Sequence, residues 1–152
     1  MRLPTQVLVY LFRYTDGQPE YLMLHRLASR DGFWQGVTGA PEPGENLLQT
    51  AERELREETG FTVSAIQQID YSYSFPVADK WRASYAEGVT QITEFVFLAR
   101  HDSPSDPTID PGEHDQWRWC DLASALELLT WPESKQALIL CHELLTGLAH
   151  HV

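Results

Sequence analysis

The chain alternates between two hydrophobic rhythms. Residues 6–13, QVLVYLFR, are an almost unbroken apolar run rich in β-branched and aromatic side chains, which predicts a strand covered on both faces. Thr15, Asp16 and Gly17 turn the chain, and 20–26, EYLMLHR, returns as a second strand. A short strand closes 31–38. A strand is expected over 61–75, where Ile66, Ile69, Tyr71, Tyr73 and Phe75 partly alternate, followed by a loop over 76–88 and a strand over 89–99. Asp, Ser and Pro crowd 101–111 into a surface loop, and 116–120 reads as the last strand. Asp121 caps a short helix over 122–129. A final helix starts at Pro132, with Leu138, Cys141, Leu145 and Leu148 on one apolar face; His150 and His151 read as a polar tail. The order lacks a regular βαβ rhythm, so the expected class is α/β: a mixed β-sheet with the central helix on one face and the C-terminal helix on the other.

That central helix carries the unusual pattern. Pro43-Gly44 breaks the chain, and Asn46 with Gln49 has the spacing of a helix N-cap and its reciprocal partner. Nothing interrupts the run before Thr59, and Gly60 stands where a left-handed C′ residue is wanted. At about 100° per residue, Leu48, Ala51 and Leu55 share one stripe, while Glu54, Glu57 and Glu58 share another roughly 100° away. The acidic stripe breaks two local rules. Glu54 and Glu58 are like charges at i, i+4, and Glu57 and Glu58 occupy the last turn, where the helix dipole disfavours anions. A solvated acidic face with Arg53 and Arg56 as counter-ions is the plain reading. The alternative is a site for a hard divalent cation with oxygen ligands, and the adjoining Gly/Pro loop favours it. Gly36 and Gly39 permit close backbone approach, which puts the Thr38 carbonyl in view of the carboxylates.

At 152 residues and 43% hydrophobic, the chain suits one globular domain, 1–152. The formal charge of −11 opposes nucleic acid and anionic membranes as partners but not a polyphosphate, since a bound divalent cation inverts the local field. Cys120 and Cys141 lack the spacing of a zinc site or disulfide framework and read as buried thiols. The first residues do not resemble a leader and no run reaches membrane-spanning length, so a cytoplasmic protein is expected.

Gly39 is followed after five residues by Glu45, after seven more by Arg53-Glu54-Leu55-Arg56-Glu57-Glu58, and after one more by Gly60 and the apolar Phe61. Every fixed position of the Nudix box is filled, and the chain resembles the Nudix hydrolases. The segments FWQGVTGAPEPGE, YAEGVTQITEFVFLA and EHDQWRWCDLASALELLTWPESKQAL are similar to the dihydroneopterin triphosphate pyrophosphatases, a folate-pathway branch of that family, so the likeness covers nearly the whole chain. The resemblance implies an α/β/α sandwich, Mg2+ (or Mn2+) as cofactor, and hydrolysis of a phosphoanhydride in a small-molecule substrate: dihydroneopterin triphosphate, cut to its monophosphate and pyrophosphate. Glu57 and Glu58 are the expected direct metal ligands with the Thr38 carbonyl as a third, and Glu54 binds a second ion or orients the water. Arg53 points away from the trio by helical geometry and, by resemblance, anchors a carboxylate such as Glu54; Glu45 ties the loop to the helix. Glu113 is the positional match for a further acidic ligand. Whether Glu54 or Glu113 takes the water's proton stays open.

Specificity is sought outside the box. Arg26 either finishes a strand at the surface or contacts a substrate phosphate. Trp34 is a core or mouth aromatic, or a stacking platform for a flat heterocycle. Lys80, Trp81, Arg82 and Tyr85 interleave cations with aromatics on one loop, either as an exposed tip or as a holder of phosphate and base. His114 reads as a surface histidine, with a base beside the metal as the alternative. Two rival functions are a housecleaning (d)NTP or dinucleoside polyphosphate hydrolase, and a binding module without catalysis. The second would show a broken Arg-Glu-x-x-Glu-Glu core, and here that core is intact.

Overall fold

The computed structural model describes residues 2–103 and 105–147. β1 (Thr5–Thr15) is central: it pairs antiparallel with β2 (Gln18–Arg26) and β4 (Val37–Gly39), and parallel with β6 (Gln91–Arg100). β5 (Ala65–Pro76) flanks β6, while β3 (Trp34–Gln35) and β7 (His114–Cys120) both pair with β2, giving a seven-stranded mixed sheet. The unbroken apolar run of β1 is sorted by strand alternation. Val7, Val9 and Leu11 pack with Ala51 and Leu55 of α1 (Leu47–Thr59). Leu8, Tyr10 and Phe12 pack on the opposite face with Ala125 of α2 (Leu122–Leu128) and Ala137, Leu138 and Cys141 of α3 (Pro132–Thr146). The three-layer α/β/α arrangement follows, and no helix among the described residues is long and apolar enough to cross a membrane.

Local signals fix the ends of α1. Asn46 Oδ1 accepts from the Gln49 amide at 2.8 Å, and Gln49 Oε1 accepts from the Asn46 amide at 2.9 Å, a complete capping box. Gly60 ends the helix at φ 79°, a left-handed conformation that a side chain would strain.

Several expectations need correction. Leu48 does not join the packed stripe but is 43% exposed, because a side chain in the first turn leans back past the helix start; Leu47 packs in its place. The strand expected from 61 begins at Ala65, since Phe61 is instead buried with its ring stacked 3.9 Å from that of His101. The loop expected over 76–88 contains the last residue of β5 and a 3₁₀ turn, Asp79–Ser84. The final helix packs through Leu138, Cys141 and Leu145; Leu148, His150 and His151 lie outside the described residues. Both cysteines are buried free thiols, and burial pushes the Cys141 thiol up to about 12.

Candidate active site

Register between β4 and β1 sets Gly39 against α1. A Cβ on Gly39 would lie 2.1 Å from Glu54 Cδ, so only a glycine there leaves the Glu54 side chain in its place. The loop that follows is held by Arg53. Its Nε donates to Glu45 Oε2 at 2.7 Å, Nη2 to Glu45 Oε1 at 3.0 Å and to the Ala40 carbonyl at 2.9 Å, and Nη1 to Glu54 at 2.8 Å and Glu57 at 3.1 Å. Arg53 therefore does not point away from the carboxylates: its long stem turns the guanidinium back along the helix to both. Glu45 also accepts from the Glu42 amide and the Thr50 hydroxyl, and these bonds, Arg53 first among them, lower its pKa to about 2. Gly39→Ala is expected to displace Glu54 while the fold persists, lowering kcat by about a hundredfold through misplacement of about 1 Å. Steady-state kinetics beside an unchanged circular dichroism spectrum would check it, and wild-type kcat would refute it.

The three glutamates of the acidic stripe do not share one environment. The Glu57 side chain is 54% exposed at the rim, Glu54 is mostly covered, and Glu58 is 2% exposed with Oε2 lacking any hydrogen-bond partner. Burial, then neighbouring Glu54, drives the Glu58 pKa well up, and burial also raises that of Glu54. His114 Nε2 stands 3.7 Å from Glu58 Oε1 and 3.2 Å from Gln35 Nε2. The surface reading of His114 is overturned: it opens β7 opposite Arg26, is 2% exposed, and its Nδ1 has no partner. Burial, then Arg26, lowers its pKa to about 4, so it is neutral at pH 7. Ligand atoms of Glu58, Glu113 and His114 all lie within 4.8 Å of one another. A buried carboxylate with an unpaired oxygen is costly on its own, and a divalent cation would satisfy it and discharge its repulsion with Glu54. The oxygen-rich donors suit a hard cation, with the imidazole as an adjacent nitrogen. Glu58, Glu113 and His114 thus fit a divalent metal.

Thr38, Gly39, Glu54, Glu58, Glu113 and His114 line one end of a cavity of about 750 Å³ that continues to an aromatic end bounded by Trp81 and Tyr85. The family model for the NUDIX domain matches residues 3–141. The chain belongs to the NUDIX family. It is 34% identical over 139 residues to the dihydroneopterin triphosphate diphosphatase of Escherichia coli K12, covering 89% of each protein. The solved structure of the E. coli dihydroneopterin triphosphate pyrophosphohydrolase superposes with a TM-score of 0.75 at 30% identity, covering 90% of this chain and 93% of that one. A Listeria monocytogenes NUDIX hydrolase superposes at 0.82, with 28% identity and coverage of 95% and 96%. A Myxococcus xanthus octanoyltransferase is 36% identical over 108 residues, which are 71% of this chain but only 28% of that protein. This NUDIX protein is a pyrophosphohydrolase acting on phosphoanhydride bonds.

The substrate residues expected from the sequence of this NUDIX hydrolase divide into two groups. Arg26, Trp34, Trp81 and Tyr85 all line the cavity. Arg26 is half-buried, donates through Nε to the Arg30 carbonyl at 2.8 Å, and lies 5.0 Å from the Phe33 ring centroid; burial, then Arg30, lowers its pKa. Tyr85 is fixed in a small core with Val77 and Ile92, whereas Trp81 is 47% exposed at the mouth. Lys80 and Arg82 do not line the cavity. Lys80 Nζ is 3.0 Å from Asp31 and Arg82 Nε is 3.3 Å from Asp79, both in solvent. Gln35 escaped the sequence reading, and so did Gln6, Tyr73 and Glu94, which also line the cavity. The only signal for Glu94 was a carboxylate inside the otherwise apolar alternation of β6.

Proposed function

We propose that this NUDIX hydrolase cleaves the phosphoanhydride between the α- and β-phosphorus of dihydroneopterin triphosphate, giving the monophosphate and pyrophosphate, with Mg2+ as its cofactor and Mn2+ as a substitute. The observation that carries the reading is one cavity of about 750 Å³ lined both by the buried carboxylates and by the aromatic side chains Trp34, Tyr73, Trp81 and Tyr85. The E. coli relative named for that substrate agrees with it. Glu54, Glu57 and Glu58 of α1, the Thr38 carbonyl and Glu113 form the proposed ligand set, with exposed Glu57 extending it towards solvent. A bound divalent cation supplies positive charge against the phosphoryl oxygens and acidifies water, each worth several kcal/mol in barrier height. The remaining work belongs to the chain. Glu54 or Glu113 accepts the proton of the attacking water as its oxygen bonds to phosphorus and the bridging P–O bond breaks towards pyrophosphate. Neutral His114, beside Glu58 and Glu113, offers a nitrogen to the same ion without adding charge, and Arg26 faces the phosphates.

A panel of dihydroneopterin triphosphate, nucleoside triphosphates and dinucleoside polyphosphates, assayed with Mg2+ and read by phosphorus NMR, tests this. The pterin triphosphate is expected to have the highest kcat/KM; a nucleotide exceeding it would reassign the enzyme to housecleaning or dinucleoside polyphosphate hydrolysis. Within the same panel, Trp34→Ala should lower kcat/KM for ring-bearing substrates by about ten- to a hundredfold, since a lost stacking surface costs about 1–3 kcal/mol. Lys80→Ala and Arg82→Ala should change it by less than about threefold, in keeping with the small worth of exposed ion pairs. Equal losses across ringed and ringless anhydrides would make Trp34 a structural residue.

A further inference from the structure

The aromatic end of the cavity has a polar floor. Register pairs Gln6 with Glu94 on the parallel β1–β6 ladder and Tyr73 with Glu94 on the antiparallel β5–β6 ladder, so the three residues form one row across the sheet. Gln6 Nε2 donates to Glu94 Oε2 and the Tyr73 hydroxyl to Glu94 Oε1. Glu94 is 5% exposed, yet all three residues line the cavity. The row lies two residues along β1 from Leu8, the register partner of Thr38, and so about 7 Å from the carboxylate end.

That carboxylate stands outside the proposed ligand set, and burying it is costly unless its oxygens are satisfied. Each of its oxygens offers two lone-pair positions, and the two internal donors occupy one on each. One acceptor position remains on each oxygen. Because both neighbours already donate to it, the row has acceptors to offer and demands donors from whatever occupies the cavity.

We propose that Glu94, held by Gln6 and Tyr73, selects the heterocycle by accepting two hydrogen bonds from a ring N–H and the exocyclic amino group beside it. The inference rests on the hydrolase reading above and names the ring edge the site requires: a carbonyl, a ring N–H and an amino group in succession. Pterin and guanine carry that edge. Adenine and cytosine place a ring acceptor beside the amine, and uracil flanks its N–H with carbonyls, so each would turn a lone pair towards the carboxylate. Stacking on the aromatic walls accepts any flat ring; the buried carboxylate rejects those that leave it unpaired.

GMP and IMP differ only in the 2-amino group, and titrating each into the protein by calorimetry needs no turnover. Wild type is expected to bind GMP about ten- to a hundredfold more tightly, the worth of a hydrogen bond to a charged acceptor. In Glu94→Gln the ratio should fall to within about threefold, with IMP, which keeps the ring N–H but has no amino group to lose, weakened less than GMP. The wild-type comparison stands even where the variant does not fold. Equal wild-type affinities, no saturable GMP binding, or an unchanged ratio in a folded variant would each overturn the assignment. Turnover of the pterin triphosphate without a GMP preference sinks this inference alone, and a GMP preference without that turnover sinks the substrate proposed above.

Discussion

Glu58→Gln is expected to make the enzyme nearly inactive and, without metal, more stable. Activity should fall by about a thousandfold, corresponding to about 4 kcal/mol of transition-state stabilisation. Stability moves the other way because Glu58 is buried beside Glu54 with one oxygen unpaired. An amide of the same shape removes the buried charge and can donate to Glu54, a gain of about 0.5–2 kcal/mol. The pH dependence follows from the same burial. A carboxyl whose folded pKa is raised holds its proton more tightly folded than unfolded. Its contribution is therefore fully present below about 4.5 and lost as pH rises above that value. In metal-free wild type, stability should decline over this range, and the decline should shrink in Glu58→Gln. Divalent ions should reverse it, raising the wild-type Tm by mass action, about 2.7 kcal/mol at a hundred times Kd, and acting weakly on the variant. Thermal melts across pH with and without Mg2+ measure all of this. A variant destabilised in the absence of metal, or one retaining the full Mg2+ shift, would remove Glu58 from the metal site.

Arg53→Ala should be the most destabilising single change in the box. One guanidinium serves Glu45, Glu54, Glu57 and the Ala40 carbonyl, and its own side chain is only 13% exposed. Its removal leaves two mostly covered carboxylates without a counter-ion, a loss of about 3 kcal/mol in urea unfolding. Arg53→Lys should recover little, because a point charge cannot reproduce the fork that grips both oxygens of Glu45. The Glu45 carboxyl, lowered to about 2, contributes stability present above the ordinary range and lost as pH falls from about 4.5 through 2. That acid-side loss should shrink in Arg53→Ala, to what the Glu42 amide and Thr50 hydroxyl sustain. A cost below about 1 kcal/mol, or an acid limb like that of wild type, would show that the loop is held by other contacts.

The elements were legible in the sequence where a local rule acts alone. The capping box at Asn46 and the left-handed Gly60 bound α1 because both are fixed by a handful of neighbouring backbone groups. The apolar run of β1 announced a strand covered on both sides, and helices do cover both. Leu48 failed because angular position on a helix says which way a residue points, but not whether the sheet extends beneath it.

The acidic stripe, read from the chain alone, pointed to a divalent cation, and the phosphoanhydride was what the resemblance of the box to the Nudix pattern implied. Charges placed against helix rules demand a compensating ligand, and that demand is local. Only the tertiary structure decided how the three glutamates differ. Burial raises Glu58 while Glu57 stays in solvent, though they are adjacent in the chain. It alone brought His114 from β7 against Glu58, and aligned Gln6, Glu94 and Tyr73 from three strands into the cavity floor. Those contacts are set by strand register across separations of tens of residues, and a linear pattern of polar and apolar positions carries no term for which strand pairs with which.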